Sequence, residues 1–480
     1  MKITFLVPPV LDGQRPAERS AGCTRVVYFA PNIYELTVIG VVEAEKFGEV
    51  AYEDFVFYKK KEEDFRQFLL GDNSDIYCIW TVNLSIESDM LAIDTILKMR
   101  PEARIILMGP GPSYFIEKCL VDNRIVIVRG EPEATIVELL HALDEGKPLD
   151  GILGISWMNG EGNIVNNGFR PLIGDLDALP FPARHFIADR RYYNPKIKRK
   201  GYTTAFTSRN CPYHCIYCVP SSLTFAREIE NKRFTGRKPT ISYRTAESVD
   251  REMAMLHEQG YKAIGFMDDN FIWNEERTRL MCEIMKKYGM LWGCQARVDA
   301  ITEPIAKMLG ESGCCYVDLG VESFNDEILK YVRKGITTEQ IYEAIHLLKK
   351  YKVPVKLNVL IGSSPLETKE TLRHTLKEAK KLKVDQVMFN IVSPFPGTEF
   401  YKLCKENNWL STPDYVPTDV QRESILNLPN ISSDEMEKIL FKNNLSYFLS
   451  WNFMITQLKR FTNWSEFTHA ARALKIKLFG

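Results

Sequence analysis

Residues 203–218 read TTAFTSRNCPYHCIYC, a β-branched run that ends in three cysteines, Cys211, Cys215 and Cys218, within eight positions. The run predicts a strand over 203–208, which leaves the cysteines on the loop beyond it. Three thiolates this close on a loop can wrap one metal centre, and sulfur donors suit zinc or an iron–sulfur cluster. A four-iron cube ordinarily takes four cysteines, so three leave one iron open to a substrate or cofactor. The competing reading is a zinc site closed by His214. Zinc modules usually pair two such knuckles, however, and the chain carries no second one.

Downstream, apolar runs at 262–268, 291–296, 316–320, 356–361 and 386–391 alternate with helical periodicity at 248–258, 274–287, 328–333 and 338–351. With the strand before the cysteines, this makes six β-α units and predicts a partial (β/α)6 barrel over 201–400. Right-handed crossovers put all its strand ends on one rim. That rim carries Asp268, Asp269, Arg297, Glu322, Ser323 and Gly362. Charged residues at barrel strand ends are poorly explained by packing. The structural alternatives are helix N-terminal acids at 268–269 and an Arg297–Glu322 pair. Residues 401–480 read as a helical region without a third sheet.

Upstream, residues 1–145 alternate strands at 2–9, 75–83, 104–110 and 124–130 with helical patterns at 85–99 and 131–143. Strands that read apolar throughout, with helices between them, predict an α/β domain with a doubly wound parallel sheet. Ligands in such sheets sit at the carboxyl strand ends. Here those ends carry Thr81, Asn83, Gly109, Gly111, Gly130 and Glu131, with no GxGxxG dinucleotide fingerprint. Residues 146–200 hold a glycine-rich hairpin pattern and a proline-rich stretch, DLDALPFPARHF, and read as a linker or strap.

The composition bounds these readings. At 480 residues, 45% hydrophobic and 26% charged, the chain is globular rather than disordered. Sixty-two basic residues balance 62 acidic ones, which argues against a broad nucleic-acid footprint. MKITFLVPPV does not read as a signal peptide, and no run is long and apolar enough for a transmembrane helix. Eleven cysteines without an export signal fit a reducing compartment, so a cytoplasmic location is expected.

CxxxCxxC after the first strand of a six-fold β-α domain, with Tyr217 before the third cysteine, resembles the radical S-adenosylmethionine superfamily. The resemblance implies that Cys211, Cys215 and Cys218 hold a [4Fe–4S] cluster whose open iron chelates S-adenosylmethionine. An electron from the cluster then releases a 5′-deoxyadenosyl radical. It also places Tyr217, Asp268, Asp269, Arg297, Glu322, Ser323 and Gly362 around S-adenosylmethionine. Asp268 and Asp269 would meet the methionine amino group, Arg297 and Glu322-Ser323 the ribose or carboxylate, and Gly362 the adenine. SSPLET follows Gly362 where a Pro-Gly pair is more usual.

FLVPP, MGPGPSYF, VRGEPEATIVELL and DLDALPFPAR further resemble the cobalamin-binding (B12) branch, and the likeness spans roughly residues 1–400. It implies cobalamin at the mouth of the barrel, touching Thr81, Asn83, Gly109, Gly111, Gly130 and Glu131. The first domain lacks Asp-x-His-x-x-Gly, so no histidine is expected to ligate cobalt. The implied reaction is C-methylation of a small or lipid-like metabolite at an unactivated C–H, with a flavodoxin or ferredoxin as electron donor. Cyclisation or rearrangement without methyl transfer stays open, and the sequence names no catalytic residue.

A tRNA methylthiotransferase would need a second cluster on N-terminal cysteines. Cys23, Cys78 and Cys119 exist, but Cys78 lies in an apolar strand and Cys119 on a helix, as structural cysteines do. Cys294, Cys314 and Cys315 read as structural too. A zinc-stapled scaffold or RNA-binding module is the non-enzyme reading. Finally, Phe448, Trp451, Met454, Leu458 and Phe461 recur at helical spacing near Lys459, Arg460, Lys475 and Lys477. They read as a packing face or as an interfacial surface allowing peripheral membrane contact.

Overall fold

The computed structural model of the chain describes residues 1–197 and 199–450. The first sheet has the order β2-β1-β3-β4-β5-β6-β7. Its strands are β1 (Lys2–Val7), β2 (Glu49–Asp54), β3 (Ile76–Trp80), β4 (Arg104–Met108), β5 (Ile125–Val128), β6 (Ile155–Met158) and β7 (Ile164–Asn166). β1 to β5 are parallel. The continuous apolar runs IYCIW, RIILM and IVIV are buried, as expected for strands covered by helices on both faces. One of those faces packs Leu6, Ile79 and Leu107 against Phe55, Phe65 and Ile93. Strand order reverses between β1 and β3, so the crevice at their carboxyl ends is the topological switch point.

Two features depart from the sequence reading. β2 (EVAYED) is a half-exposed edge strand without an apolar run, which is why the pattern missed it. The hairpin expected in the linker is instead part of the sheet. β6 pairs antiparallel with β5, Trp157 opposite Val126, and closes an edge that would otherwise be open.

The second sheet has the order β15-β14-β13-β12-β11-β8. β8 is Tyr202–Ala205; β9 (Ser208–Arg209) and β10 (Ser242–Tyr243) make a separate two-stranded ladder. β11 (Ala263–Phe266), β12 (Leu291–Arg297), β13 (Cys314–Glu322), β14 (Val355–Ile361) and β15 (Gln386–Ile391) pair in parallel register. The intervening helices start where the sequence supplies caps. The Asn274 side chain accepts from the Arg277 amide, and Thr337 and Gln340 form a reciprocal capping box.

After β15 come the helices Glu399–Glu406 and Ser433–Phe448, joined by irregular chain, and no further sheet follows β15 among the described residues. Phe448 is buried. Trp451, Met454, Leu458, Phe461 and the basic residues at 459, 460, 475 and 477 lie outside the described residues.

The chain forms two compact units. The first takes Met1–Tyr193 with Thr203–Cys211 and Val219–Ser248; the second takes Asn194–Tyr202, Pro212–Cys218 and the chain from Val249. The helix Ser222–Thr235, directly after the cysteines, therefore folds with the first unit.

Candidate active site

Cys211, Cys215 and Cys218 form no disulfide and are all half-buried, on the loop between β9 and the helix Ser222–Thr235. Backbone hydrogen bonds pin the loop in the second unit. The Ile216 amide donates to the Val332 carbonyl at 3.3 Å, and the Ile216 carbonyl accepts from the Phe400 amide at 2.9 Å. His214 is exposed, turned to solvent. Among the described residues no three His, Cys, Asp or Glu side chains converge on a point as a mononuclear metal requires. A cube binds each cysteine at a separate corner iron, and three accessible, unoxidised thiols on one loop fit that donor set.

Arg297, at the end of β12, is the side chain that meets this loop. Its guanidinium lies over the Tyr213 ring at 3.5 Å from the centroid and 4.0 Å from Cys215 Sγ. Two bonds of 2.9 Å to Asp299 and one of 2.6 Å to the Lys334 carbonyl fix it there. The Arg297–Glu322 pair, the structural alternative for these two residues, does not form. Glu322, at the end of β13, instead accepts from Lys334 Nζ at 2.7 Å, and both residues are buried.

A register shift between Gly320 and Glu322 aims that carboxylate, and Glu322 sits at φ +65°. Bulges and left-handed non-glycine residues of this kind cluster at functional sites. Burial, with Glu322 beside it, pushes the Tyr217 phenol well up. Gly320 leaves the room for the pair: a Cβ there would lie 2.6 Å from Lys334 Nζ.

The other rim residues divide. Asp268 is buried and Asp269 half-buried just past β11. Asn270, next in line, is buried with neither amide atom hydrogen-bonded. Ser323 turns to the helix Lys369–Lys381, its hydroxyl 3.2 Å from that of Thr375. The Gly362 amide donates to Glu367 at 2.7 Å, as does that of Ser363 at 2.8 Å. The SSPLET loop is thus wrapped around its own buried carboxyl, which burial pushes up to about 7.

In the first unit the carboxyl strand ends bring the remaining candidates into one region. Thr81 and Asn83 are buried, and the Thr81 hydroxyl and both Asn83 amide atoms have no hydrogen-bond partner. Orphaned buried polar atoms at a switch-point edge fit a polar ligand such as the cobalamin side chains. The glycines have a nearer explanation. Gly109 (φ +98°) would place a Cβ 2.6 Å from the Thr81 carbonyl oxygen, and Gly130 (φ +69°) would place one 3.0 Å from Glu230 Cβ.

Glu131 belongs to a buried ionic network. It accepts from Arg209, lies in ion-pair range of Arg227 (3.1 Å), and also caps the Ile173 amide at 2.6 Å. Arg209 also reaches Glu133 at 2.6 Å, while Arg129 pairs with Glu230 at 2.9 Å. The network ties the turn after β5 to the residues flanking the cysteine loop. Lys334, Arg209, Arg227 and Glu230 escape a reading of the sequence, because none lies in a recognisable motif.

The cysteines of the alternative second cluster are apart from such chemistry. Cys78 and Cys119 are wholly buried, and burial pushes the Cys23 and Cys119 thiols up to about 12. Cys294 and Cys314 are buried as well, and Cys315 donates to the Trp292 carbonyl at 3.0 Å.

Residues 206–379 match the family model of the Radical SAM superfamily. An uncharacterized methyltransferase of Pyrococcus horikoshii is 31% identical over 94% of this chain and 93% of its own length. The cytidylyl-2-hydroxyethylphosphonate methyltransferase of Streptomyces wedmorensis is 23% identical over 72% of this chain and 70% of its own. OxsB, a cobalamin-dependent S-adenosylmethionine radical enzyme solved with aqua-cobalamin and S-adenosylmethionine, shares the fold. Its TM-score is 0.72 at 15% identity, covering 100% of this chain and 72% of that one. No helix among the described residues is long and apolar enough to cross a membrane.

Proposed function

Because the chain belongs to the radical S-adenosylmethionine superfamily, we propose that it is a cobalamin-dependent C-methyltransferase acting on an unactivated carbon of a small or lipid-like metabolite. The observation that carries the reading is the near full-length likeness to a methyltransferase, together with three cysteines, none in a disulfide, on one loop. When bound, the cluster supplies the electron that splits the sulfonium of S-adenosylmethionine, and cobalamin supplies a carrier for the methyl group.

The chain's own residues bind and orient. Cys211, Cys215 and Cys218 hold the cluster. Arg297, clamped by Asp299 and Tyr213, fixes the cysteine loop and presents positive charge to it. Glu322, held by Lys334, and the Asp268–Asp269 pair are the polar groups for S-adenosylmethionine. Thr81 and Asn83 are the polar groups for cobalamin. These residues are buried, and an enclosed polar setting of this kind would limit side reactions of a reactive intermediate with the protein. Tyr217 completes the S-adenosylmethionine set; Ser323 and the Gly362 amide serve to shape its walls. The electron comes from a flavodoxin or ferredoxin in the cytoplasm, and any membrane contact is peripheral.

The test is anaerobic purification with cobalamin supplied, followed by iron, cobalt and zinc analysis of one sample. Turnover with trideuteromethyl S-adenosylmethionine follows. Iron for one cluster, stoichiometric cobalt and a trideuteromethyl product support the proposal. Iron for two clusters without cobalt favours the methylthiotransferase, and zinc alone removes the radical reading. A product of unchanged carbon count directs the search to cyclisation.

A further inference from the structure

We infer that the concave face of β12–β15 is the substrate-recognition wall, and that it selects a water-soluble, hydrogen-bonding molecule rather than an acyl chain. The inference rests on the radical reading above and narrows its substrate class. Directly paired residues of parallel strands point to the same side of a sheet. One row across the sheet therefore runs Gln295, Asp318, Lys356, Gln386; the next runs Arg297, Gly320, Asn358, Met388. Asn390 stands opposite Leu360 in the row after that. Arg297 places this face on the side of the cysteine loop, since its guanidinium reaches Cys215.

On the other face, Leu357, Val359, Val387 and Phe389 are buried in the core. On the concave face Gln295 is exposed, and Asn358, Gln386 and Asn390 are half-buried. None of these four carboxamides has a hydrogen-bond partner among the described residues, and Asn390 Oδ1 is shut off from solvent without one.

Strand spacing sets neighbouring groups about 4.8 Å apart. The wall thus offers four neutral carboxamides set among paired charges, with the floor fixed by Asp318, which accepts from Lys196 at 2.7 Å and Lys356 at 3.1 Å. At Gly320 the grid is interrupted by the Lys334–Glu322 pair, which stands where a Cβ would lie. A wall for an acyl chain would be lined with aliphatic and aromatic side chains. Here Leu360 and Met388 are the apolar residues at the row positions of β14 and β15. A buried amide oxygen left unpaired, as Asn390 Oδ1 is, is costly, so a ligand that pairs it and the neighbouring carboxamides is favoured over one that cannot.

The experiment uses the anaerobically reconstituted full chain and two probes, the water-soluble and the chloroform-soluble metabolite fractions of the source cells. Retained small molecules are identified by mass spectrometry for the wild type and for a Gln295→Leu/Asn358→Leu/Asn390→Leu variant. S-adenosylmethionine affinity is titrated in parallel. The expected result is retention from the aqueous fraction, weakened about tenfold or more in the variant, with S-adenosylmethionine affinity held within about twofold. Asn358→Leu alone, with a smaller loss, serves if the triple variant does not fold.

Retention from the chloroform fraction overturns the inference. So does unchanged aqueous retention in the variant, or a parallel loss of S-adenosylmethionine affinity, which would assign the wall to the cofactor. Wild-type protein that releases no 5′-deoxyadenosine on reduction would instead fail the radical reading. The retention measurement decides the wall independently of turnover.

Discussion

Replacing Lys334 by Met should cost the second unit about 3–5 kcal/mol, because it leaves the buried Glu322 carboxylate without its counter-ion. The magnitude follows from the geometry. Unit charges 2.7 Å apart in a medium of effective dielectric about 20 attract by about 6 kcal/mol. Desolvating both groups takes back much of this, so the intact pair adds little net stability. The stranded carboxylate keeps its desolvation cost and loses the attraction. Methionine fills a similar volume, which keeps cavity formation out of the comparison.

Because the chain has two units, global denaturation would mix their transitions. The readout is native-state hydrogen exchange of the β12, β13 and β14 amides, whose opening free energy reports the local unit. The Glu322→Gln/Lys334→Met double variant should recover most of the loss, since neither charge is then buried. A single-variant loss under about 1 kcal/mol, or a double variant no better than the single, would falsify the reasoning and make the pair a solvated contact.

Three further outcomes are expected. Cys215→Ala should strip iron and reductive cleavage of S-adenosylmethionine while exchange protection in β3–β5 stays at the wild-type level. Loss of that protection would mean the loop is structural. Burial pushes the Glu35 carboxyl up from 4.5 to about 8, so the folded chain holds a proton in that window that the unfolded chain releases. Stability from this group is therefore full below about pH 4.5 and falls as pH rises to about 8. Glu35→Gln should flatten the pH-dependence of first-unit melting by a few kcal/mol; parallel curves for the two proteins would refute the burial argument. Gly109→Ala should cost about 1–3 kcal/mol, since φ is +98° and the new Cβ would sit 2.6 Å from the Thr81 carbonyl oxygen. An unchanged melting temperature would show that this turn relaxes freely.

The parts of the fold visible in the sequence are those whose residues had one reason to be there. IYCIW, RIILM and IVIV are apolar at every position because both faces of their strands are covered, and they announced the sheet. EVAYED, on the edge, needs no such run and announced nothing. The three cysteines were legible because cysteines at that spacing have few other uses. Arg297 and Glu322 were legible as strand-end charges, but their partners were not. Arg297 is held by Asp299, two residues on, and Glu322 by Lys334 from a turn after a helix; neither spacing is a pattern. The alternation Lys356, Asn358 and Gln386, Met388, Asn390 did carry a signal. Polar side chains at every second position of a barrel strand mark an interior that is not packed with aliphatics, and only the register shows that they share a face.

The buried pairs of the first unit bear on how far this protein is a set of modules. Arg129 is matched to Glu230 and Glu131 to Arg209 and Arg227, so segments on opposite sides of residue 200 complete each other's charges. A chain cut at that point would expose or strand ions that each half cannot neutralise alone. Exchange of the N-terminal half between relatives, whether by recombination or by design, would require the charges of the helix Ser222–Thr235 to travel with it. The unit of inheritance is then longer than the unit of fold that the linear sequence suggests.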